Sequence, residues 1–322
     1  MTVIPAETNN SVAVVGCDNY EAGKTADAVE KIFSLLGGVE KFVGKSDKVL
    51  LKPNFITAAP AGRAVQTDPA VILAVAQIVK DLGGKPFVAD SPAWRNVWAS
   101  IKSLQLDGPL KKLGVDVVPL NHPRRFKTVG GNIGISSVAL DADKIINLPK
   151  LKSHQQLGAT FAVKNMFGCV CGKEKAYRHF TAGQSCHKFC RMLIEIYELL
   201  APVITIIDGI VAMEGAGPIN GKPKKLGVLV AGSEPIACER VCCELIGLNP
   251  DNLPMIRSAE EMGYGCGRFG DINILGDDYR RLICTDFIGA QQIPLRFSLP
   301  RVCKSVLKQL IYLVSKRSET NS

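Results

Sequence analysis

Residues 48–91, KVLLKPNFITAAPAGRAVQTDPAVILAVAQIVKDLGGKPFVADS, decide the reading of the fold. Two short apolar runs, KVLLKPN (48–54) and PFVADS (86–91), enclose a segment of helical spacing from Asp68 to Leu82. The helix ends are signalled: TDPA places Asp68 as N-cap and Pro69 at the first helical position, and LGG (82–84) closes the segment. Strand, helix, strand is the unit of a parallel sheet, because parallel neighbours need a long crossover. The alternation continues outward with SVAVVG (11–16), a helical stretch from Lys24 to Leu36, VDVVPL (115–120) and KIINLP (144–149). Helices are expected near 159–167 and 186–200, then VITIIDG (203–209), LGVLVAG (226–232) and a helix from Glu234 to Ile246, where SEPI repeats the acid-proline start. The expected class is therefore α/β, a mostly parallel sheet flanked by helices. It occupies residues 10–276, with a basic tail over 277–322.

The bulk composition suits a globular chain: 322 residues, 47% hydrophobic and 21% charged, enough for a sizeable core. The start, MTVIPAETNN, lacks the basic and apolar regions of an export signal, and no apolar run approaches the ~20 residues of a membrane helix. A cytoplasmic chain is expected. The net charge of +9 is concentrated: residues 144–178 carry +6 and residues 294–322 carry +5, leaving −2 elsewhere. With 6% aromatic residues and charge confined to two segments, nucleic-acid binding is not expected.

In open α/β sheets ligands bind beyond the carboxyl ends of the strands, so the residues after each apolar run carry the functional reading. Here they are Lys52, Pro53 and Asn54; Asp90 and Ser91; Lys150, Lys152 and His154; Asp208; and Gly232, Ser233 and Glu234. Loops are polar in any case, and one such residue means little. Together, lysines, an asparagine and a histidine beside two aspartates describe a site for an anionic small molecule. Lys164 and Asn165 join it from AVKNMFG, where a lysine embedded among apolar residues is costly without a partner. The loop MEGAGPINGKPKK (213–225) adds Glu214 and the glycines Gly215 and Gly217, whose backbone N–H groups suit an anion; a plain surface turn is the alternative. The expected catalytic groups are His154, Lys164 and Asp208. Lys52, Asn54, Asp90, Lys152, Asn165, Glu214, Gly215 and Gly217 are the expected ligand contacts.

Eleven cysteines in a chain without an export signal argue against a disulfide framework. Cys169 and Cys171, followed by Cys186 and Cys190, could hold zinc or a cluster; an i, i+4 pair on a helix is equally natural for small buried residues. In the tail, Val302, Val306, Leu310 and Leu313 share a helical face from which Lys304 and Lys308 are excluded. Such a segment rests on an anionic membrane surface, on a partner or on its own domain.

Taken in order, VLLKPN, TDPAVI, VADSP, ADKIINLPKLKSH, AVKNMFG, the nearby His179, IIDGIVAMEGAGPINGKP and SEPIACERVCCELIG resemble the family known as domain of unknown function 362, over about residues 49–272. Membership implies an association with iron–sulphur chemistry, often through a ferredoxin-like cysteine module after the domain. This chain departs from that pattern: past Cys266 it has only Cys284 and Cys303, so electron transfer would need a separate ferredoxin. Where the family commonly has aspartates in a D-P-x-A-x-D pattern, this chain has Glu234 and Glu239, which leaves metal binding and helix capping both open. The stretch from "AD" through His154 to Lys164, ten residues on, is also similar to the active-site run of nickel-pincer lactate racemases. That likeness implies a proton-transfer histidine and a cofactor-bearing lysine; the racemases' second catalytic histidine has no counterpart near Asp90. The resulting expectation is a redox or proton-transfer enzyme acting on an anionic small molecule. The alternative is a carrier of an iron–sulphur cluster or divalent metal held by its cysteines.

Overall fold

The computed structural model describes residues 10–92, 96–172, 174–181 and 185–293. The tail helix expected around 302–313 lies outside them. The chain opens with β1 (Ser11–Gly16) and α1 (Ala22–Leu35), followed by β2 (Lys48–Pro53), α2 (Pro69–Asp81) and β3 (Lys85–Asp90). Two short helices, α3 (Val97–Ser103) and α4 (Asp107–Lys112), lead to β4 (Asp116–Pro119), a hairpin of β5 (Pro123–Thr128) and β6 (Gly131–Ser136), and the single turn α5 (Ser137–Leu140). The basic segment holds β7 (Lys144–Leu148), β8 (Lys150–His154), β9 (Gly158–Thr160), α6 (Ala162–Asn165) and α7 (Glu174–Thr181). Then come α8 (Cys186–Leu200), β10 (Ile204–Glu214), β11 (Lys222–Gly232), α9 (Pro235–Leu245), α10 (Pro254–Met262) and β12 (Asn273–Gly276).

The main sheet runs in the order β12-β1-β11-β10-β7-β2-β3-β4, with β8 and β9 extending from β10. Its neighbours pair in parallel except where β11 meets β1 and β10, and β8 meets β9, so the sheet is mostly parallel as expected. Alternating side chains feed two cores. Val49 and Leu51 of β2 and Val88 of β3 pack with Val29, Ile32, Ile72 and Val75 of α1 and α2. Leu50, Ala89 and Ile145 face the other way, toward Phe189, Leu193 and Ile196 of α8.

Three local features differ from the expectation. KLKSH is a strand, not a strand-end loop: Pro149 has no N–H to continue β7, and β10, which pairs with β7 at Ile204 and Thr205, takes up β8 from Asp208 onward. The helix expected near 159–167 is divided, because Gly158–Thr160 pairs antiparallel with β8 and leaves α6 as one turn. The apolar spacing of GATFAVKNMF fits either state, and the cross-strand register decides it. The glycine-rich loop is shorter than expected, since β10 runs to Glu214 and β11 resumes at Lys222.

Both acid-proline starts cap helices. Asp68 accepts the Ala70 N–H at 3.0 Å, and Glu234 accepts those of Ile236 and Ala237 at 2.8 and 2.6 Å, together with that of Cys266 at 3.0 Å. Replacing Glu234 with Ala orphans three N–H groups, and denaturant unfolding should show a loss of about 2 kcal/mol. An unchanged midpoint would refute this capping role.

Candidate functional site

Register across three parallel strands builds the floor of the site. Lys52 of β2 is aligned with Asn147 of β7, and Asn147 with Thr205 of β10, so their side chains share one level of the sheet. Asn147 donates to Thr205 Oγ1 at 3.1 Å and to the Ala162 carbonyl at 3.0 Å. Asn165 of α6 covers this row: its Nδ2 reaches the Lys52 carbonyl at 3.0 Å and Asn147 Oδ1 at 2.8 Å, while its Oδ1 accepts from Asn54 Nδ2 at 2.9 Å. A chain of amides thus fixes the start of α6 over the strand ends. Glu239 of α9 secures the same turn by accepting the Val163 N–H at 2.9 Å, and burial pushes its carboxyl up to about 8. Glu234 and Glu239 therefore both serve as caps.

Five lysines gather around this floor, and their partners differ. Lys52, fully buried, pairs with Asp90 at 2.9 Å and donates to the Pro53 carbonyl. Asp90 also accepts the N–H groups of Phe55 and Ser91. A Cβ on Gly168 would lie 2.6 Å from both Lys52 Nζ and Asp90 Oδ1, so glycine is what lets the backbone pass over this pair. Lys150 pairs with Asp208 at 2.8 Å, and the Tyr20 hydroxyl bridges them, at 2.5 Å from Lys150 Nζ and 2.7 Å from Asp208 Oδ1. Asp208 also accepts the N–H groups of Asp68 and Ile210. Asp68 beside it is raised to about 6, chiefly by burial.

The other three lysines have no carboxylate within ion-pair distance among the described residues. Lys152 donates to Asn54 Oδ1 and to the Val65 carbonyl. Desolvation, with Lys150, Lys164 and Lys52 nearby, lowers it to about 7. Lys164 is half-buried, its ammonium 5.1 Å from the Phe167 ring centre, and desolvation lowers it to about 8. Lys175 donates to the Ser91 carbonyl and is likewise lowered to about 8, with Asp90 and Lys52 close by. Its helix is held by Glu174, which binds Arg125 of β5 at 2.7 Å and Arg178 at 3.0 Å.

The remaining candidates are placed around the rim. His154 ends β8, buried, with Nδ1 accepting the Gln156 N–H. Glu214 and Gly215 clasp Ile288: the Glu214 carboxylate accepts its N–H at 2.9 Å, and its carbonyl accepts the Gly215 N–H at 2.7 Å. Gly217 packs so closely on the Ser153 carbonyl that a Cβ would overlap it. The structure thus gives each of the three a structural partner. The proposed metal set is corrected: among the described residues no group of three or more His, Cys, Asp or Glu side chains could hold a metal ion. Cys169 and Cys171 neighbour Lys175, whereas Cys186 and Cys190 contact each other on α8. These cysteines therefore do not assemble the zinc or cluster site that their spacing had left open. The His179 side chain lies outside the described residues.

Sequence reasoning passed over Tyr20, Asn147 and Thr205, and took Lys175 only as part of the basic run around Lys164. A buried asparagine inside the apolar run KIINL was a usable signal; nothing local marks Tyr20, which acts 188 residues from Asp208.

The pattern for the domain of unknown function DUF362 matches residues 49–244. The chain belongs to the DUF362 family. A thylakoid-associated protein of Synechocystis sp. is 36% identical over 301 residues, covering 92% of this chain and 94% of that protein. Among solved structures, the lactate racemase apoprotein from Thermoanaerobacterium thermosaccharolyticum aligns with a TM-score of 0.46 and 13% identity. That alignment covers 74% of this DUF362 chain and 58% of the racemase chain.

Two outcomes check the electrostatics. Asp208→Ala strands the buried Lys150 charge and should cost about 3–5 kcal/mol, with much of the loss restored by adding Lys150→Met; calorimetry or denaturant unfolding reads both. Lys152 gives up its proton near 7 when folded and near ~10.4 when unfolded, so between these values the unfolded chain binds more protons and this group makes stability rise with pH. The Lys152→Met variant should therefore compare best with the native chain at pH 7 and progressively less well toward pH 9. A pH-independent difference would contradict the lowered pKa.

Proposed function

We propose that this chain is an enzyme that binds an anionic small molecule at the carboxyl ends of β2, β7, β8 and β10 and moves a proton to or from it. The observation that carries this reading is the surplus of positive charge: Lys152 lies beside the two lysine–aspartate pairs, Lys164 lies within its electrostatic reach, and neither has a carboxylate within ion-pair distance among the described residues. A carboxylate or phosphate group entering there supplies the missing counter-charge, where low local dielectric strengthens the interaction. Lys152, lowered to about 7, exchanges its proton near neutrality, which suits a general acid or base. Asn54, held by Asn165, orients that amine. Asp208, already engaged by Lys150, Tyr20 and two N–H groups, positions Lys150 rather than acting as the base. His154 stands at the rim as a second group for proton transfer. In a redox version of the same chemistry the lysine pocket would hold the substrate, and electrons would come from a separate ferredoxin.

No helix among the described residues is long and apolar enough to cross a membrane. The reading extends to a protein acting on the cytoplasmic side, with the basic segment 294–322 contacting an anionic membrane surface; the thylakoid association of the relative is consistent with such contact. Co-sedimentation of the full chain with anionic vesicles at low salt, lost at high salt, checks that extension.

Titration calorimetry with inorganic phosphate and small carboxylates tests the site. At pH 8 an entering anion favours the charged lysines and raises their pKa values, so binding should take up protons and the measured heat should vary with the buffer's ionisation enthalpy. Lys164→Met and Lys152→Met should each weaken binding by about tenfold or more, equivalent to ~1.4 kcal/mol. Unaltered affinity in both variants would sink the reading.

A further inference from the structure

The first turn of α8 holds two thiols in contact. Cys186 is the first residue of this 15-residue helix, after the N-cap Ser185, and Cys190 follows one turn later. The two side chains hydrogen-bond to each other. Cys190 is fully buried and Cys186 half-exposed, so solvent reaches one sulfur while the other stands behind it. The hydrogen bond from Cys190 lowers the Cys186 thiol and raises that of Cys190, and Arg257 of α10 adds positive charge beside Cys186. Glu239 and Ser258 flank Cys190, Lys164 lies within its electrostatic reach, and His187 is paired with Glu261 at 2.8 Å. A partly exposed sulfur near a helix N-terminus and a cation is the setting of a reactive cysteine. Cys238, Cys242 and Cys243 of α9 are enclosed, and burial pushes their thiols up.

We propose that Cys186 and Cys190 form a reversible dithiol–disulfide pair in which Cys186 is the attacking sulfur and a peroxide is the oxidant. The Cys186 thiolate attacks one peroxide oxygen, an S–O bond forms and the O–O bond breaks. The departing hydroxide takes a proton to become water. The Cys190 sulfur then attacks the resulting sulfenic acid, the S–S bond forms, the S–O bond breaks, and the second hydroxide leaves with the Cys190 proton as water. Two thiols lose two electrons and one peroxide gains them.

The helix allows this bridge under strain. Ideal geometry places Cα atoms at i and i+4 about 6.2 Å apart, inside the disulfide range of up to ~6.8 Å. The Cβ atoms, about 5–6 Å apart on a helix, must approach to roughly 4 Å. Cys186 has the freedom to make that move, because the N–H groups of a first turn have no intrahelical partner. Strained bridges are the readily reduced ones, so a thiol reductant should reverse the bond.

Tryptic cleavage after Lys188 separates the two cysteines, which makes the test direct. Reduced full-length protein is exposed to equimolar hydrogen peroxide, alkylated, digested and examined by mass spectrometry, with a dithiothreitol-treated control. The expected product is a disulfide-linked pair of peptides carrying Cys186 and Cys190, unalkylated at both and absent from the control. Cys190→Ala should convert Cys186 into a sulfenic acid trapped by a 1,3-dione. The proposal is overturned if both cysteines of the native chain remain alkylated after peroxide, if Cys186 links to a different cysteine, or if it passes to sulfinic acid without a bridge.

Discussion

Lysine ammonium groups enclosed at one end of a sheet repel one another and lose their hydration, and the arrangement of this end of the molecule answers that cost. Two of the five have carboxylates: Asp90 for Lys52 and Asp208 for Lys150. The others are held by neutral acceptors, Lys152 by Asn54 and the Val65 carbonyl and Lys175 by the Ser91 carbonyl, or stand over an aromatic ring, as Lys164 does over Phe167. Burial strips hydration from these three ammonium groups and neutral acceptors restore less of it than a paired carboxylate would, which is why they titrate lower than ordinary lysines. The site is thus both positively charged and able to change its protonation near neutral pH.

Parallel topology makes the gathering unavoidable. When β2, β3, β7 and β10 run together, residues at neighbouring levels of the sheet come together, although they lie as much as 156 positions apart between Lys52 and Asp208. The amides of Asn54, Asn147 and Asn165 join the strand ends to α6. The hairpin of β5 and β6 holds α7 through Glu174, and α7 in turn carries Lys175 to the Asp90 side.

The cysteines follow a different logic. Those of α9 fill core space as small apolar groups, as their complete burial shows. Cys186 differs because a helix begins there, leaving its sulfur partly open to water with the Cys190 thiol one turn behind. Spacing alone gives Cys186–Cys190 and Cys238–Cys242 the same appearance, and solvent access separates them.

The sequence by itself determined the alternation of strands and helices, the caps at Asp68 and Glu234, and Lys52 and Asp90 as groups at the ends of their strands, with Lys152, Lys164 and Asp208 marked as polar groups set in or directly after apolar runs. These are legible because period, capping residues and position after an apolar run are local properties. Tertiary structure alone decided that KLKSH is a strand, that Tyr20 bridges Lys150 and Asp208, and that Glu214 and Gly215 clasp Ile288. It also decided which lysines receive a carboxylate and which do not. The reason is physical: pairing register, burial and the distance between charges arise when remote segments meet, and no window of sequence contains both partners.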